Sequence, residues 1–188
     1  MRVRIIPENQ IERLNRLMND SAQLSDLSHE ELTKKPSNGG WSVIEVIDHM
    51  IVAHAVYRDK VGRALEEKAD DVIEFPLKTG GMTSFLVKRF PPKENKIKFK
   101  MKTMKRFQPD FEAFEISMED CQEKVLQYRK DLEELKSWVE TYRNTPVSLN
   151  KFNSAVGSWV KFNVPEATEF VLCHDERHQL QWKNVLVA

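Results

Sequence analysis

The run His174-Asp175-Glu176-Arg177-His178 sets two imidazoles four positions apart. On an α-helix, with about 1.5 Å rise and about 100° of turn per residue, that spacing stacks them one turn apart on nearly one face. Both rings can then point at a single ion, and neutral imidazole is a common metal ligand. The plainer alternative is an exposed histidine pair on a charged helix. The surrounding stripe favours the ion. Val164, Ala167, Val171, His174, His178 and Val185 follow spacings of 3, 4, 3, 4 and 7, with Trp182 one turn after His178. The histidines therefore occupy slots that a bundle helix fills with apolar side chains. Buried polar groups are costly unless partnered, and one metal ion would partner both rings.

A third ligand must come from elsewhere. His49 and His54 both lie in the apolar run 43–57, five residues and so about 140° apart around a helix. One ion cannot take both without distortion. His54 shares a stripe with Ile47, Met50 and Val61, and His49 lies beside Glu45 and Asp48. Periodicity leaves the choice between them even. A protease reading is set aside. His174-Asp175-x-x-His178 differs from the zinc-protease signature in having Asp for Glu, and only ten residues follow His178.

The elements that would position these residues read as helices. Ile11, Leu14, Leu17, Met18 and Leu24 make one apolar stripe over 8–25. Ser28-x-x-Glu31 and Ser42-x-x-Glu45 are capping boxes, so a short helix opens after Ser28 and a central one at Val43, running to about Lys68. Ser117 caps a helix over about 118–143, whose Cys121, Val125, Tyr128, Leu132, Leu135, Val139 and Tyr142 alternate spacings of 4 and 3. Residues 146–157 read as a loop. Asn163-Val164-Pro165-Glu166 then starts a last helix that ends near Val187. Residues 69–109 are irregular and rich in Gly and Pro. Within them Lys96 to Lys102 alternates lysine with apolar residues, the period of a strand. The expected fold is all-α, a single four-helix bundle over 1–188 with an irregular insertion, holding a short hairpin, around 69–109.

Composition narrows the function. Lys plus Arg and Asp plus Glu are each 29, so zero net charge argues against whole-domain attraction to nucleic acid or an anionic membrane. No apolar run approaches a membrane span, and MRVRIIPENQ lacks a signal-peptide core. With two cysteines and no disulfide framework, a reducing cytoplasmic location is the expectation. Residues 88–106 hold nine Lys or Arg against one Glu, a local charge of +8. That stretch, with Phe90, Phe99 and Phe107 interleaved, reads as an anion- or nucleic-acid-binding surface or, more simply, as an exposed hairpin or edge strand whose lysines discourage strand pairing. Cys173 projects about 100° from His174 and reads as a small packed residue. Trp159, Phe162, Phe170 and Trp182 read as core or dimer interface.

Three stretches together resemble the DinB/YfiT-like four-helix-bundle metalloproteins: Trp41-Ser42-Val43-Ile44-Glu45 with Ile47-Asp48-His49, Val156-Gly157-Ser158-Trp159, and His174-Asp175-Glu176-Arg177-His178-Gln179. Their order and spacing match over nearly the whole chain. The resemblance implies metal ligands at His49, His174 and His178, and so takes His49 over His54. It also implies an up-down-down-up bundle, a homodimer, bound zinc or nickel, and a small-molecule substrate. Relatives of that kind include transferases that use a low-molecular-weight thiol cosubstrate, and maleylpyruvate isomerase. The insertion at 80–108 is longer and more basic than this family pattern. Three imidazoles leave a position open, where an ion could activate a thiol or water. Thiol S-transfer and hydrolysis are the expected reaction types. A non-catalytic metal-stabilised bundle, or a binding module using residues 88–106, is the alternative of a different class.

Overall fold

Local capping chemistry sets where the helices begin. In the computed structural model, which describes residues 2–67, 73–99 and 101–188, six α-helices form. They are α1 (Pro7–Ser21), α2 (His29–Thr33), α3 (Val43–Glu66), α4 (Gly81–Arg89), α5 (Met118–Asn144) and α6 (Val164–Leu186). Ser28, Ser42 and Asn163 each accept from a backbone N–H three residues on, and Glu31, Glu45 and Glu166 reach back to the cap backbone. Two orphan donors are satisfied at each start. Helix α1 opens with Pro7 in its first turn, and its chain tightens after Ser21 into a 3₁₀ turn over Ala22–Asp26. Lys68, the expected end of α3, lies outside the described residues.

Helices α1, α3, α5 and α6 form the bundle, with α1 and α3 each packed against both α5 and α6. From Val43 to Met50 every residue of α3 is buried, which is what its nearly all-apolar sequence requires. The seam of α5 from Cys121 to Tyr142 is buried at all seven expected positions. Each fully buried Leu on these faces contributes about 1.5–3 kcal/mol relative to exposure. Polar ties cross the same interfaces. Arg13 on α1 reaches Glu169 at 2.6 Å and Glu176 at 2.7 Å on α6. Burial would lower its pKa, and these two carboxylates raise it instead. Among the described residues no helix is long and apolar enough to cross a membrane.

Two small antiparallel pairs complete the fold. Strand β1 (Arg4–Ile5) pairs with β2 (Leu77–Lys78), joining the N-terminal segment to the chain before α4. Strands β3 (Phe152–Ser154) and β4 (Gly157–Phe162) form a hairpin where the sequence reads as a loop. At its turn the Trp159 indole folds over Gly157, where a Cβ would collide with the ring. The alternating segment after Lys96 does not become a strand among its described residues. Only Lys93 and Lys96 pair, closing a tight turn with Glu94 and Asn95 at φ 52° and 54°. Continuing that ladder would require Pro91 and Pro92 opposite the segment, and proline has no N–H to give. Phe99 instead packs against Phe90, ring centres 5.8 Å apart. The insertion also holds α4, which the sequence reading had left irregular.

Candidate metal centre

Helix α3 carries His49 and α6 carries His174 and His178, and each offers one ring nitrogen within 4.8 Å of the others. His49 Nε2 and His174 Nε2 are 3.1 Å apart. Two imidazole nitrogens at zinc-bonding distance from one tetrahedral ion stand about 3.3–3.4 Å apart. The His49–His174 pair is thus close to that spacing, and His178 offers a third nitrogen within 4.8 Å of both. His54, the other candidate, is elsewhere. Its Nε2 lies 2.9 Å from both Asp175 carboxylate oxygens, fully inside the α3–α6 interface. Burial alone would lower the His54 pKa, and the Asp175 charge more than reverses it.

The second ring nitrogens of His49 and His178 are held. His49 Nδ1 lies 2.7 Å from the Phe107 carbonyl, which can only accept, so Nδ1 carries the proton and Nε2 keeps its lone pair. His178 Nδ1 donates in the same way to Gln181 Oε1 at 2.8 Å. Burial pushes the pKa of His49 down and those of His174 and His178 well down, and for the last two the neighbouring histidines of the cluster add to the effect. All three rings are thus neutral near neutral pH, as ligands must be. Trp41, the residue before the Ser42 cap, lies over His49 with ring centres 5.1 Å apart.

The three histidines line one cavity of about 440 Å³. Its lining also includes Gly39, Gly40 and Trp41, Phe90 and Phe170, and Met101 to Met104 with Phe107. Tyr57 also borders it. Its hydroxyl accepts from the Ala155 N–H, and burial pushes its pKa up to about 12, so it stays protonated. Among the described lining residues there is no carboxylate.

A family model for the DinB superfamily matches residues 13–182. The chain belongs to the DinB superfamily. No curated protein and no solved structure matches it. As a DinB superfamily member the chain has a histidine cluster that could hold a metal ion, built from one central-helix residue and a pair on the last helix. Two supporting groups of this DinB cluster escaped the sequence. Gln181 sits three residues after His178, a spacing that puts it on the same face and was open to inspection. The Phe107 carbonyl was not, since a backbone acceptor in an irregular segment leaves no side-chain signature. Asp175, near enough in sequence to serve a ligand, faces His54 instead. Of the four aromatics Trp159, Phe162, Phe170 and Trp182, the last three are buried and Trp159 is 68% exposed. Cys173 is buried beside Arg13 and Glu169, and burial pushes its pKa far up, so it rests as a packed thiol.

Proposed function

We propose that this chain is a metal-dependent enzyme that holds zinc or nickel on His49, His174 and His178 and transfers a thiol to a small electrophilic substrate. The observation that carries the reading is three neutral imidazoles, two buried and His174 half-buried, converging in the lining of an open cavity. A closed structural site would have four protein ligands and no cavity. A divalent ion bound there would lower the pKa of a thiol or water, supplying a nucleophile near neutral pH.

The chain's own residues do the rest. Phe107 and Gln181 fix the rings so that Nε2 faces the cavity. Trp41, Phe90 and Phe170 supply an apolar wall that excludes water from the reacting atoms. Thiol transfer is favoured over hydrolysis because attack by a thiolate needs only that the thiol lose its proton. Amide hydrolysis also needs a group to carry a proton to the leaving atom, and with no carboxylate in the described lining only weak acids such as the Tyr57 hydroxyl and Lys102 border the cavity for that.

The test supplies zinc- or nickel-reconstituted protein with cysteine or 2-mercaptoethanol and monochlorobimane, and separately with 4-nitrophenyl acetate. The reading expects metal-dependent formation of the fluorescent thioether with release of chloride, abolished by His174→Ala. Metal-dependent ester cleavage without thioether formation would move the reading to hydrolase. No metal-dependent rate in either assay would contradict both.

A further inference from the structure

Arg177 lies on α6 between the two histidines of the pair and lines the same cavity. Its Nη1 donates to the Phe99 carbonyl at 2.6 Å, and its guanidinium carbon is 5.9 Å from the centre of the Phe90 ring. Neither contact carries a negative charge. Among the described residues no carboxylate pairs with it. Arg13 and Arg58 differ: Arg13 pairs with Glu169 and Glu176, and Arg58 pairs with Asp131 and Glu134. Among the described residues the one hydrogen-bond partner of Arg177 is the Phe99 carbonyl, so the remaining guanidinium donors can serve an anion that enters the cavity.

The segment that Arg177 bonds has the same sign. Met101 to Met104 belong to the segment 88–106 with its local charge of +8, and Lys102 borders the cavity. Among the described residues of that segment, Lys98 is paired with Glu94, and Lys102 has no carboxylate partner. The simple explanation for these lysines was protection of a strand edge, and no such strand forms among the described residues. A cavity with neutral histidines, no carboxylate among its described lining residues, and both Arg177 and Lys102 attracts anions and can orient them on the guanidinium.

We propose that this cavity binds a small organic anion, its carboxylate on Arg177 and its apolar body against Trp41, Phe90 and Phe170. The proposal deepens the reading above by giving its substrate a charge, and rests on that reading for the cavity being the substrate site.

The probes are 3-phenylpropanoate and its neutral amide, titrated calorimetrically into zinc-loaded and metal-stripped protein. One-site binding of the acid is expected in both forms, with the amide weaker by about tenfold or more. Arg177→Gln should bring the acid down to the amide's affinity and Arg177→Lys should restore much of it, both melting like the parent by circular dichroism. Equal binding of acid and amide, acid binding indifferent to Arg177→Gln, or no saturable binding to the parent protein would each overturn the proposal. Zinc content of the same samples separates the two claims. Protein that takes no zinc yet binds the acid through Arg177 overturns the metal reading alone. Protein that takes zinc but ignores Arg177→Gln overturns this proposal alone.

Discussion

A buried histidine serves as a ligand when one nitrogen is held, the other is free and the ring is uncharged. His49 and His178 meet these conditions through Phe107 and Gln181. Gln181→Ala should therefore weaken zinc affinity by about 10- to 100-fold, read by competition with a chromophoric chelator. An unchanged affinity would show that His178 is oriented by packing alone. The lowered pKa values make a second prediction. Below the ordinary histidine pKa of about 6.5, the unfolded chain takes up protons that folded His49, His174 and His178 refuse. Metal-stripped protein should keep its stability above about pH 6.5 and lose it as pH falls toward the lowered folded values. Denaturant midpoints across that range would test this, and a flat profile would count against it. At this scale the His-x-x-x-His pair was legible because its spacing is local. The choice between His49 and His54 was not, because it depends on Asp175 across a helix interface, and a single helix's periodicity cannot show that.

Helices with local caps were legible as elements, and their interfaces were half legible. The α5 seam and the Ser42 and Asn163 caps followed from spacing. Helix α4 did not, since Gly80 gives it no side-chain cap and it spans only 9 residues. The strand expected after Lys96 failed because periodicity sees one strand and not the partner it needs, here blocked by Pro91 and Pro92. The α3–α6 interface carries a prediction of its own. His54→Ala would leave Asp175 buried with no cation, at a cost of about 3–5 kcal/mol in denaturant unfolding. The same variant should keep its metal, since His54 faces away from the cluster. A loss below about 1 kcal/mol would mean that water replaces the imidazole.

For the whole molecule, metal binding and folding are linked. The three histidines converge only when α3 and α6 are packed, so an ion binding them stabilises the folded chain. Free zinc at 100 times its dissociation constant should add about 2.7 kcal/mol, raising the melting temperature in a concentration-dependent way. His174→Ala should abolish that dependence. Bundle architecture was legible at this scale, since four long amphipathic segments have few other ways to bury their stripes. The part of Met101 to Met104 and Phe107 in lining the cavity was not, because an irregular segment carries no period from which its docking could be read. The most direct measurement is elemental mass spectrometry on tag-free protein beside His49→Ala, His54→Ala and His174→Ala. The account predicts about one zinc or nickel per chain, lost in His49→Ala and His174→Ala and kept in His54→Ala. No stoichiometric metal after reconstitution, or loss in His54→Ala with retention in His49→Ala, would contradict it.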